Sequence, residues 1–83
     1  MARIVHLAPG ERRPDEGGEK PWLLIEPSGD GRFFGSGGSW KESGEWVGYG
    51  SLPEHDISLE TAIEAAQQWA AKYIVPTIWV EAS

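Results

Sequence analysis

The sequence predicts an α+β fold: a small two-layer domain in which one amphipathic helix packs on one face of a mostly antiparallel sheet of four or five strands, in the order β-β-β-β-α-β. Three observations predict it. Residues 58–74 are the one stretch with apolar side chains at sustained helical spacing. Short β-branched and aromatic runs lie on both sides of it, bounded by glycine, proline and aspartate turns. The chain has 83 residues and no cysteine, so a single domain must bury its helix stripe on a sheet, with no disulfide or thiolate-bound metal to help. Five Trp, two Tyr and two Phe supply bulk for this, since each large ring can bury about 150–250 Å². Homodimerisation is a second way to bury surface.

Residues 3–7, RIVHL, are β-branched and apolar enough for a short strand. Residues 8–21, APGERRPDEGGEKP, are rich in proline, glycine and charge and have nothing to bury, which predicts a mobile loop within the single domain 1–83. WLLIE at 22–26 reads as a strand, PSGDG as a tight turn, and RFFGSG at 32–37 as the returning arm of a hairpin. EWVGYGSL at 45–52 reads as another strand, Val47 and Tyr49 alternating against Trp46, Gly48 and Gly50. The piece between, GSWKESG, fits either a short strand and turn or a connecting loop.

The helix has both of its ends marked. The Ser58 hydroxyl is placed to accept from an orphan N–H of the first turn. Glu60 and Glu64 lie near the positive end of the helix dipole and Lys72 near the negative end. Leu59, Ala62, Ile63, Ala66, Ala70 and Tyr73 form the apolar stripe, with Trp69 at its border. Glu60, Glu64, Gln67, Gln68, Ala71 and Lys72 form the opposite face. Pro76 disfavours helical backbone at Val75 and stops the run. TIWVE at 77–81 is then the last strand, Ile78 and Val80 on one side, Thr77 and Trp79 on the other. One helix covers one face of a sheet and leaves the other to water or a partner.

Charge narrows the function. Residues 1–41 carry six basic and six acidic side chains, while residues 42–83 carry Lys72 against seven acidic ones. The net charge of −6 thus belongs to the C-terminal half. Phosphate backbones are held by clustered Lys and Arg, so general nucleic-acid binding is disfavoured, and an acidic half suits a basic partner. The N-terminal segment is too short before Pro9 for a signal peptide, and no apolar run approaches the roughly 20 residues of a membrane span. The expectation is a cytoplasmic protein with no membrane partner.

No catalytic, cofactor-binding or metal-binding residue is predicted. GSGGSW lacks dinucleotide-loop spacing and no helix follows it, no Gly-Lys-Ser/Thr is present, and GYGSL does not match a nucleophile elbow. Glu54, His55 and Asp56 are consecutive, and neighbours in a loop rarely converge on one point. His6 and His55 have no metal-ligand spacing. The chain is therefore expected not to be an enzyme. Its notable feature is aromatics among glycines: Gly35, Gly37, Gly48 and Gly50 open gaps in two candidate strands that Trp40 or Trp46 can cover. Two readings follow, rings packed on the protein's own glycines and rings displayed to a partner. The candidate partner-binding residues are Trp40, Trp46, Tyr49 and Trp79, with Glu42, Glu45 and Glu54 steering a basic protein. The alternatives are an acidic inhibitor that mimics nucleic acid, from a phage or mobile element, and a single-strand nucleic-acid binder that stacks bases on the rings.

Two segments, LLIEPSGDGRFF and SLPEHDISLETAIEAAQQW, also resemble the N-terminal domain of HicB-type antitoxins. There a strand, an acidic-glycine turn and a second strand are followed by a Leu-Pro loop leading into a helix. The resemblance spans residues 22–69 and implies a bacterial strand–hairpin–helix–strand unit whose activity is to cover a small basic RNA-cleaving toxin. The chain departs from that pattern at Glu54, where the family has glycine, and in its extra tryptophans and glycines. The family's C-terminal DNA-binding segment is not expected after Ser83, so what the resemblance implies is toxin covering rather than DNA binding.

Overall fold

The distance between helix and sheet is set by alanine. In the computed structural model, which describes residues 2–12, 20–52, 54–55 and 57–82, α1 runs Leu59–Tyr73 and its buried residues are Ala62, Ala66 and Ala70. Side chains that stop at Cβ let the helix axis lie close over the sheet. The three alanines share one core with Leu23, Ile25, Val75, Ile78 and Val80, and Leu59, Ile63 and Trp69 pack at its margin. The helix begins as its sequence predicts: Thr61 donates its backbone N–H to the Ser58 hydroxyl at 3.2 Å.

Five strands form the other layer: β1 (Arg3–His6), β2 (Trp22–Pro27), β3 (Phe33–Trp40), β4 (Trp46–Gly50) and β5 (Thr77–Val80). Their spatial order is β1-β5-β2-β3-β4. The α+β class and the single helix layer are as expected, but the sheet is mixed rather than mostly antiparallel. β5 runs parallel to both β1 and β2, while β2–β3 and β3–β4 are antiparallel hairpins. The reason is the helix. It carries the chain back along the sheet after β4, so the next strand runs in the direction of β2. β5 then enters the sheet between β1 and β2, where Ile78 and Val80 are buried in register with Leu23 and Ile25.

The two hairpins are made by different turns. After β2, Asp30 accepts hydrogen bonds from the Ser28 hydroxyl and from the Arg32 N–H. These bonds, the Ser28 bond first, hold its carboxyl below the usual aspartate range. After β3, the Gly44 N–H bonds to the Lys41 carbonyl at 2.9 Å and the Lys41 N–H to the Glu45 carbonyl at 2.8 Å. Gly44 at φ 87° closes this short loop, a position that glycine takes without strain. The undecided GSWKESG piece is thus the end of β3 followed by a turn. Of the loop expected at 8–21, residues 13–19 lie outside the described residues. At its start Ala8 and Glu11 form a turn, the Glu11 carboxylate accepting the Ala8 N–H at 2.8 Å.

The helix ends at Ile74, before Pro76 acts. Ile74 is left-handed at φ 56° and ψ 53°, and its N–H and that of Val75 both reach the Ala70 carbonyl. This is glycine's usual place, and a β-branched residue is strained there. The Ile74 side chain is 83% exposed, so little packing offsets the strain.

Two outcomes test this account. Ala66→Leu should destabilise by about 1–3 kcal/mol through overpacking under the helix, read by urea denaturation. Ile74→Gly should stabilise by about 1 kcal/mol by removing the left-handed strain, raising the Tm by about 4–8 °C for a domain of this size.

Candidate functional site

Strand alternation divides the side chains of the sheet between two faces. Leu23, Ile25, Ile78 and Val80 point to α1, and in register with them so do Gly35, Gly37 and Tyr49. The neighbouring positions point the other way: Val5 on β1, Thr77 and Trp79 on β5, Trp22, Leu24 and Glu26 on β2, Phe34, Gly38 and Trp40 on β3, Trp46 on β4. No helix or strand among the described residues lies over that second face. It is an open surface of aromatic and aliphatic side chains. Trp22, Leu24, Phe34 and Trp79 are half-buried, while Trp40 and Trp46 are each 39% exposed.

At one corner of this face Trp40 and Trp46 are directly paired across β3 and β4. Their rings meet edge-on, with centroids 4.9 Å apart at 75°. The Trp46 indole leans back over Gly38, where any Cβ would collide with the ring. Trp46 thus packs on the protein's own glycine and still shows part of its ring to solvent, but the glycine it covers is Gly38 rather than Gly37, Gly48 or Gly50, beside which no ring lies. The other ring-covered glycine is Gly35, where a Cβ would lie 2.6 Å from the Tyr49 ring on the helix side.

The predicted site residues are only partly brought together. Trp40 and Trp46 adjoin the hairpin turn that carries Glu42, and Glu45 lies just before β4 beside Lys41, 3.7 Å from its ammonium. Trp79 is on the same face, on β5, and β2 lies between it and this corner. Glu54 lies on a turn beyond the far end of β4, where the His55 N–H bonds to the Leu52 carbonyl. Tyr49 is corrected: it is on the helix side. Its ring packs on Trp69 at 5.1 Å, and Trp69 packs on Tyr73 at 4.6 Å. Alternation along β4 demands this, because Tyr49 is an odd number of positions from Trp46. Sequence reasoning missed Trp22, Leu24 and Phe34. Both faces of β2 are apolar, so periodicity alone did not say which side met the helix. It also missed Ser39, whose buried hydroxyl donates to the Tyr73 carbonyl at 2.8 Å and ties the end of β3 to the last turn of α1.

One carboxylate on the open face is perturbed. Burial pushes the Glu26 carboxyl above the usual glutamate range, and the nearby Glu81 adds to the rise. No group of three or more His, Cys, Asp or Glu side chains among the described residues is placed to hold a metal ion. No helix among them is long and apolar enough to cross a membrane. No family model, no curated protein and no solved structure matches the chain. What the fold defines is a two-layer α+β domain with an aromatic face left open.

The Glu26 perturbation has a signed consequence. Its folded-state pKa is raised, so its contribution to stability is fully present below the unfolded value, about 4.3, and is lost as pH rises through the folded value. At neutral pH the charged group therefore opposes folding. Glu26→Gln should raise the Tm at pH 7, and the gain over wild type should shrink as the pH falls below that of ordinary glutamate, measured by thermal melts across pH.

Proposed function

We propose that the protein is a non-enzymatic binding module that seats a basic protein partner on the open face of its sheet. One observation carries the reading: a row of aromatic and aliphatic side chains faces outward, with Trp40 and Trp46 exposed at its corner. Tryptophans that are partly buried at rest are pre-organised, so little rotamer freedom is lost on binding. Trp79 extends the same surface across β5. The net charge of −6 favours a basic partner, with Glu42, Glu45 and Glu54 contributing to its approach. Glu26 beside Glu81 adds a specific reason: a cationic side chain docked against them relieves their repulsion. The resemblance to HicB-type antitoxins supports the same direction, an acidic cover for a small basic toxin.

The test is affinity capture from native extract by wild type, Trp40→Ala, Trp46→Ala and Trp79→Ala, each first shown to be folded by circular dichroism. The expected result is a basic protein held by wild type, released as salt rises, and held at least tenfold more weakly by the tryptophan variants. Unchanged capture by folded variants would remove the open face from the reading. Retention of a single-stranded oligonucleotide, lost in Trp46→Ala, would replace the protein partner with stacked bases.

A further inference from the structure

The sheet has two edges, β1 and β4, and they are protected differently. β1 has four residues with exposed Arg3 and His6 at its ends. Charge and shortness of this kind discourage pairing with another chain. β4, WVGYG, has no charge, no proline and two glycines, and it alternates between exposed and half-buried residues along its length. It is an unguarded edge.

Its backbone direction follows from the bonds at its ends. The Lys41 N–H reaches the Glu45 carbonyl, and the Ser51 N–H reaches the Gly35 carbonyl. In an antiparallel ladder the bonded pairs alternate, so Glu45, Val47, Tyr49 and Ser51 bond inward to β3. Trp46, Gly48 and Gly50 then turn their N–H and C=O groups outward.

From this we infer that β4 pairs antiparallel with β4 of a second copy of the chain, about a two-fold axis through Gly48. In that register Gly48 faces Gly48, Trp46 faces Gly50, and Val47 faces Tyr49. Every outward N–H and C=O of Trp46, Gly48 and Gly50 finds a partner. The side chains are complementary as well. A Cβ at Gly50 has nothing within 4 Å, and at Gly48 only a backbone oxygen at 3.9 Å, so the large Trp46 of one strand meets open space on the other. Val47 opposite Tyr49 is a favourable β-branched and aromatic pair. Charge does not oppose the register: Glu45, already beside Lys41, faces Ser51. Such a contact is isologous and closed. It makes one continuous sheet, with both helices on one side and both open faces on the other. This inference does not depend on the basic partner proposed above.

The dimer joins two chains of net charge −6, so added salt should strengthen it, the reverse of its effect on a basic partner. Sedimentation of the wild-type chain over a wide concentration range should show a dimer favoured by salt. Gly48→Pro loses an outward N–H and no bond to β3, and it should sediment as a folded monomer. Because the chain has no cysteine, single cysteines report the register. Across a bonded antiparallel pair the Cα atoms are about 5.5 Å apart, within disulfide range, so Gly48→Cys should oxidise to a covalent dimer. The two Gly50 positions would be about 14 Å apart, and Gly50→Cys should stay free. A wild-type monomer at every concentration and salt, or Gly50→Cys cross-linking as readily as Gly48→Cys, would overturn the inference. Either result would leave partner capture by the open face to stand or fall separately.

Discussion

Everything in this fold depends on how closely the helix can approach the sheet. Ala62, Ala66 and Ala70 stand where larger residues would hold α1 away. Close approach lets Leu23, Ile25, Ile78 and Val80 lose contact with water under a single helix. It also brings the Tyr73 carbonyl within reach of the Ser39 hydroxyl. Since the chain has no cysteine and small domains bury a modest share of their surface, this one apolar contact does most of the work of holding the layers together. The aromatic cluster of Tyr49, Trp69 and Tyr73 seals the gap between helix and sheet on the side of β4.

The glycines of β3 divide the aromatics between two tasks. Gly35 gives up its side chain to the Tyr49 ring on the helix side, and Gly38 to the Trp46 ring on the open side. Two rings from one strand thus close on β3, one on each face. The first completes the core. The second becomes a partly embedded platform, with Trp40 standing edge-on against it. Embedding restrains Trp46 without hiding it, which is the state that suits a binding anchor.

Local chemistry made some parts of this structure legible in the sequence and left others dark. The helix was readable because its cap, its stripe and its charges all lie within one segment. The strands were readable as runs, and the Asp-Gly turn placed the first hairpin. What could not be read was pairing between distant segments. Nothing within TIWVE says that it enters between β1 and β2 rather than joining an edge. Nothing within WLLIE says which of its two apolar sides meets the helix, so Trp22 and Leu24 went unassigned as surface. Tyr49 was different, because alternation already opposed it to Trp46, and only the grouping of aromatics by type placed the two together. The carboxylates were grouped by charge in the same way, although Glu54 and Glu45 belong to opposite ends of β4.

The interior place of β5, between β1 and β2, has a consequence for how the chain comes to be folded. β1 and β2 have no ladder between them, and each is bonded to β5 instead. The two hairpins can form from neighbouring residues as soon as these exist. The N-terminal strand has nothing to pair with until residues 77–80 have been made and released from the ribosome. Until then the sheet is a three-stranded fragment with the β2 edge exposed, the kind of unpaired edge that invites wrong partners. Synthesis of an interior strand after all the others makes completion of the sheet a late, long-range step. A chain stalled or cut before β5 would lose two strands from its sheet, since β1 has no other partner.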